Sequence, residues 1–192
     1  MLPVFKTGGR RLTASPVGST PTRFRQRLMK SIFYLPLLVL ALLAHCLAGT
    51  DAVADRILVV KWSRTMTLFS HGKTLRTYKV ALGGQPVGAK ERSGDHKTPE
   101  GSYVVATKLA HSQFHRALRI SYPNAEDLRR ARKLGVDPGG LVEIHGLGRE
   151  FGWLGALHRK TNWTDGCVAV TNEEIDEIWK LVPVGTPVEI QP

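Results

Sequence analysis

From residue 55 onward the chain alternates short apolar runs with polar punctuation, and most of the runs have the length and residue types of strands. "RILVVKW" (56–62) is rich in Ile and Val. "TMTLFS" (65–70) and "TLRTYKVAL" (74–82) flank His71-Gly72-Lys73 and read as a hairpin, with Gly72 available for a positive φ. Further strands are expected at "SYVVATKL" (102–109), "RALRISY" (116–122), "LVEIH" (141–145) and "TPVEI" (186–190), with a short "CVAV" (167–170) between. Two stretches change period. Asn124 caps "NAEDLRRARKLG", with acids Glu126 and Asp127 in its first turn, bases after them and Gly135 at its end. Thr171 and Glu174 form a capping box, after which Ile175, Ile178, Trp179 and Val182 fall at helical spacing until Pro183 stops the run. The pattern predicts a mainly β domain with about two helices and no internal repeat. Gly83 to Gly101 carries neither period, and a loop of that length is either functional or a solvated excursion.

The first 54 residues read differently. Residues 1–30 hold seven Lys/Arg and no acid, and Ile32 to Ala44 is an uncharged run of thirteen residues. A transmembrane helix needs about 20. A basic flank, a short apolar core and then "AVA" (52–54) form the pattern of a secretory signal peptide cleaved after Ala54. Met29 would begin a leader of ordinary length, and an uncleaved membrane anchor is the alternative. The expected organisation is a leader over 1–54 and one domain over 55–192, in an exported protein of the periplasm or cell envelope.

Removing the leader changes the charge. The chain's formal net charge is +11, but residues 55–192 carry 20 Lys/Arg against 15 Asp/Glu, a net charge of +5. That argues against a nucleic-acid partner and suits an anionic wall or membrane surface. It also leaves Cys167 as the only cysteine, since Cys46 departs with the leader. A lone thiol in an oxidising compartment is either buried and inert or used. To be used it needs a base or a positive field, because the thiolate is the nucleophile. Six histidines remain, at 71, 96, 111, 115, 145 and 158. His145 stands out. It ends an apolar strand, is followed by Gly146, and precedes Cys167 by 22 positions, so its ring is expected to leave the sheet at a loop edge. The histidines are too scattered for a persuasive zinc set, and no metal or cofactor is expected.

"EIHG" followed by "TDGCVAVTN", with "GGQPVGAKERSGDHKTPEGSY" upstream, resembles the L,D-transpeptidase catalytic domain over nearly the whole of 55–192. That resemblance implies a mostly antiparallel β-sandwich with few helices. It implies Cys167 as nucleophile, His145 as general base and acid, and the backbone N–H groups of Gly166 and Cys167 as an oxyanion hole. Gly146, Thr164 and Asp165 fall at substrate-binding positions of the motif, and Asn172 matches an asparagine that often follows the cysteine. The implied partners are peptidoglycan stem peptides. The implied reaction is a Cys167 thioester with a stem tetrapeptide, transferred to an amine acceptor. A hydrolase on the same scaffold (L,D-carboxypeptidase or amidase) and a non-catalytic wall-binding module are the alternatives.

Two departures bear on substrate. Many members have histidine where this chain has Asp165, and arginine where it has Ala169. Asp165 is therefore expected to point away from the thiol or to bind a cationic substrate group. Arg149 and Arg159, on the basic loop from Gly146 to Trp163, are expected to hold a substrate carboxylate in place of the missing arginine, with His158, Lys160, Lys90 and His96 as further possible cations.

Overall fold

The computed structural model describes residues 52–192. The expected leader lies outside the described residues, apart from its last three positions. Ala54 is buried and its N–H donates to the Leu181 carbonyl (2.8 Å), so the fold takes in the residue just ahead of the expected boundary. Among the described residues no helix is long and apolar enough to cross a membrane.

Eight strands form one continuous sheet: β1 (Arg56–Val60), β2 (Thr65–Ser70), β3 (Lys73–Lys79), β4 (Gly101–Ser112), β5 (His115–Ile120), β6 (Glu143–His145), β7 (Val168–Ala169) and β8 (Pro187–Gln191). Their spatial order is β3-β2-β1-β8-β4-β5-β6-β7. Most pairings are antiparallel, as expected. The exceptions are β1–β8 and β6–β7, which are parallel. Strand β4 pairs with β8 through its first residues and with β5 through the rest, and its register slips between Val105 and Thr107. That irregularity lets one strand serve both halves of the sheet. At the β2–β3 hairpin His71 and Gly72 both have positive φ, 51° and 74°, the conformation a two-residue primed turn requires.

Both expected helices are present. Helix α1 (Ala125–Leu134) has the Asn124 cap, a capping box with Asp127 and a left-handed Gly135 at its end. Helix α2 (Asn172–Leu181) has the Thr171–Glu174 capping box and buries Ile175 and Ile178. A third helical piece, the 3₁₀ segment Gly152–Lys160, was not expected. It is broken at Gly155 (φ 46°, ψ −130°). One core joins Ile57, Met66 and Tyr78 to Val105, Leu118, Ile144, Val168 and Ile175, so both halves of the sheet and α2 share a single apolar interior.

Candidate active site

Strands β6 and β7 place His145 and Cys167 in neighbouring positions of the sheet. They run parallel with Ile144 beside Val168 and His145 beside Ala169. Ile144 and Val168 face the core. Side chains alternate along a strand, so His145 and Cys167 emerge on the opposite face, two positions out of step. The far flank of β7 is closed by residues 81–84, through bridges from Ala81 to Ala169 and from Gly83 to Thr164. The motif strand thus lies between His145 on one side and the start of the long loop on the other.

The thiol is partly buried. The Glu143 N–H donates to Sγ at 3.4 Å, and Sγ lies 3.7 Å from the Leu141 carbonyl. Among the described residues Sγ has no hydrogen bond to His145. Burial pushes the thiol up to about 11; the Glu143 N–H opposes this, and the Glu143 and Asp165 carboxylates reinforce it. The Glu143 carboxylate is itself held by Arg119 at 3.0 Å.

His145 is only 1% exposed, which corrects the expectation of a ring leaving the sheet at a loop edge. Phe114 stacks on it at 4.3 Å between centroids, and Trp163 meets it edge-on at 6.0 Å. Its Nδ1 lies 2.6 Å from the Gly146 carbonyl. A carbonyl only accepts, so Nδ1 carries the proton and Nε2 keeps the lone pair a base needs. Burial lowers the imidazole to about 4, against the opposing pull of the Gly146 carbonyl. Thiol and imidazole therefore rest as a neutral pair.

The turn carrying Cys167 departs from two expectations. The Gly166 N–H is not free for an oxyanion, because it donates to Thr164 Oγ1 (3.2 Å). The same hydroxyl donates to the Cys167 carbonyl (2.8 Å), so the buried Thr164 pins the turn rather than facing substrate. Among the described residues the Cys167 N–H has no backbone or side-chain acceptor. Gly166 is required for another reason. Its φ is 130°, and a Cβ there would lie 2.6 Å from the Lys97 carbonyl oxygen. Gly146 is also internal. A Cβ on it would lie 2.6 Å from Asn172 Oδ1, an oxygen that accepts from the Leu147 N–H (2.7 Å). Asn172 thus anchors the chain leaving His145.

The two arginines separate. Arg149 borders a cavity of about 790 Å³ whose walls include Phe114, Leu147, Phe151, His158 and Trp163. This cavity adjoins the aromatic clamp on His145. Arg159 lies elsewhere, beside Arg64, Lys79 and Val80, with its guanidinium bonded to Glu174 of the α2 capping box. Among the described residues His158 Nε2 and Arg159 Nε are buried without a hydrogen-bond partner. Asp165 does point to solvent and meets His96 at 2.6 Å. Lys90 is buried against Asp95 (2.7 Å). Composition and spacing could not reveal the Phe114 clamp, the Arg119–Glu143 pair or the His96–Asp165 contact, all of which arise from distant segments. Among the described residues no group of three or more His, Cys, Asp or Glu is placed to hold a metal ion.

A β domain that sets a cysteine and a strand-borne histidine on one face can support acyl transfer through sulfur. The chain belongs to the YkuD family, the L,D-transpeptidase catalytic domain, which matches residues 54–190. It is 32% identical over 132 residues to the Escherichia coli K12 protein named "Putative L,D-transpeptidase YafK", covering 66% of this chain and 46% of YafK. It is 28% identical over 138 residues to "Putative L,D-transpeptidase YqjB" of Bacillus subtilis, covering 70% and 69%. The chain thus spans about half the length of YafK. Among solved structures, Bd1075 of Bdellovibrio bacteriovorus superposes with a TM-score of 0.53 at 25% identity, over 74% of this chain and 49% of that one. Pgp2 of Campylobacter jejuni, titled a helical cell shape determining protein, gives 0.55 at 23% over 74% and 48%, a likeness of fold.

Proposed function

We propose that this protein is an exported peptidoglycan L,D-transpeptidase in which Cys167 is the nucleophile and His145 the general base and acid. The observation that carries the reading is the pairing of β6 with β7, which sets the His145 and Cys167 side chains on one face, with the His145 tautomer held by the Gly146 carbonyl. His145 Nε2 takes the thiol proton as Sγ attacks the carbonyl of a stem tetrapeptide's third residue. The Cys167 N–H is the donor available to the oxyanion. His145 then returns its proton to the nitrogen of the leaving D-alanine as the C–N bond breaks. An amine from a second stem attacks the thioester, passes its proton to His145 and releases the thiol, which gives a cross-link between third residues. Water in place of the amine gives an L,D-carboxypeptidase.

Mass spectrometry of products from a tetrapeptide stem, with and without an added amine acceptor, tests the reaction. A cross-linked or amine-capped product is expected with the acceptor. A hydrolysed tripeptide under both conditions would make the enzyme a hydrolase, and no product with either would refute the reading. Incubation with a penem should place a mass adduct on Cys167 and none on Cys167→Ala protein.

A further inference from the structure

Away from the thiol, positive charge gathers at one place without the acids to match it. A second pocket, of about 330 Å³, is walled by Ser63, Arg64, Lys79, Val80 and Arg159. It shares no lining residue with the cavity beside His145. Three segments far apart in sequence meet there: the turn after β1, the end of β3 and the end of the 3₁₀ segment. The fold holds them in place. The Val80 N–H donates to the Arg64 carbonyl (3.0 Å), and Arg64 Nη1 donates to the Arg159 carbonyl (2.9 Å). Arg64 is thus fixed at both its backbone and its guanidinium.

The charges do not balance. Arg159 Nη2 is bonded to the Glu174 carboxylate. Among the described residues the side chains of Arg64 and Lys79 bond only to carbonyls, Lys79 to that of Ser63 at 3.3 Å. Three cations against the one carboxylate of Glu174 leave two positive charges uncompensated. Arg159 Nε is buried without a partner, whereas its Nη1 is neither bonded nor buried among the described residues and can still donate. Cations lining one pocket repel one another, and an anion within it would offset that cost. Guanidinium and ammonium groups together suit phosphate oxygens. A carboxylate brings a single negative charge, whereas a phosphate monoester brings about 1.5 to 2 at pH 7, which matches the excess.

We propose that this pocket binds a phosphate group, free or terminal on a larger molecule, through Arg64, Lys79 and Arg159. A bound phosphate ties the turn after β1 and the end of β3 to the segment that also walls the cavity through Leu154, Leu157 and His158. Thermal melts of the full-length protein test it, with inorganic phosphate replacing chloride at constant ionic strength. At ten times its Kd, phosphate held only by the folded protein should raise Tm by about 4 °C. Arg64→Gln and Lys79→Gln each remove a charge-assisted contact and should weaken binding about tenfold, which cuts the shift at that concentration to about a third. Each shift is a difference within one protein, so destabilisation by the substitution itself cancels. Co-sedimentation with phosphatidylcholine vesicles carrying phosphatidic acid, against vesicles carrying phosphatidylglycerol at equal charge, separates the sources. Preference for phosphatidic acid that Lys79→Gln abolishes means a lipid-borne phosphate, and a phosphate shift without that preference means a soluble one; both support the site. A wild-type Tm that phosphate raises no more than chloride does, or a shift that both substitutions leave intact, overturns it.

Discussion

The neutral resting state of the Cys167–His145 pair predicts two different pH dependences for one sulfur. The thiol lies at about 11 rather than 9.0, and the imidazole at about 4 rather than 6.5. At pH 7 the thiolate share is then about 100-fold below that of an ordinary cysteine. Iodoacetamide needs free thiolate, so alkylation of Cys167 should climb about tenfold per pH unit and level off only near 11. Penem acylation draws instead on His145, which accepts the proton as attack proceeds. That rate should be flat from about pH 5 to 9 and fall below about 4, where Nε2 is protonated. Removing the base with His145→Gln should abolish the plateau and leave only the thiolate-dependent limb. Stopped-flow acylation and mass-resolved alkylation across this range on the full-length protein would measure both curves. An alkylation plateau beginning near pH 6 would mean a preformed thiolate–imidazolium pair, and burial would then not control the site.

Three further outcomes follow from the same geometry. Gly166→Ala should lose about 2 kcal/mol or more, read as a lower Tm, because its Cβ would meet the Lys97 carbonyl at 2.6 Å with φ at 130°, and acylation should fall with it. Folding stability should drop as pH falls from about 6.5 through 4, by about 3 kcal/mol from His145 alone, since a depressed imidazole contributes stability above its unfolded pKa and loses it below the folded one; thermal melts across that window check this. Arg149→Gln should raise the apparent KM for a stem peptide, whereas Arg159→Gln should lower Tm by the loss of the Glu174 contact and leave KM in place.

Much of the fold was legible because it rests on local codes. Both helix caps, the Gly135 stop and the His71-Gly72 turn are set by residues within a few positions of one another, and each is where periodicity and capping chemistry put it. The 3₁₀ segment was not legible, since "GWLGALHRK" contains two glycines, has no side-chain cap and is broken at Gly155. At the site, "IHG" and "DGC" mark the two residues that the β6–β7 pairing places on one face, two positions out of step. Their neighbours could not be read. Thr164 and Gly166 bond to each other across two residues in a turn whose shape is imposed from outside by Lys97. Arg159 looked like a free cation in a basic loop, but its partner Glu174 belongs to a helix cap fifteen residues on.

The stretch without period, Gly83 to Gly101, proves to be the part that holds the Cys167 turn. Burial raises the Asp95 carboxyl, but Lys90 and the N–H groups of Glu91, Arg92 and Lys97 outweigh it and bring the group to about 2. This hub, together with the Thr98 hydroxyl accepting from the Gly83 N–H (2.9 Å), fixes where the Lys97 carbonyl presses on Gly166. A second buried cation, Lys61, enters from the end of β1 and bonds the Gly88 and Thr98 carbonyls and Glu100 at 2.7, 3.0 and 2.7 Å. A loop tied by two buried lysines is not a solvated excursion, because each charge would be costly to bury unpaired. Its polar composition is therefore the means by which a segment with no strand or helix becomes rigid enough to shape the Cys167 turn. The same loop delivers His96 to Asp165. The position of the thiol is thus set by one element, while His145 is set independently by β6 and its aromatic clamp.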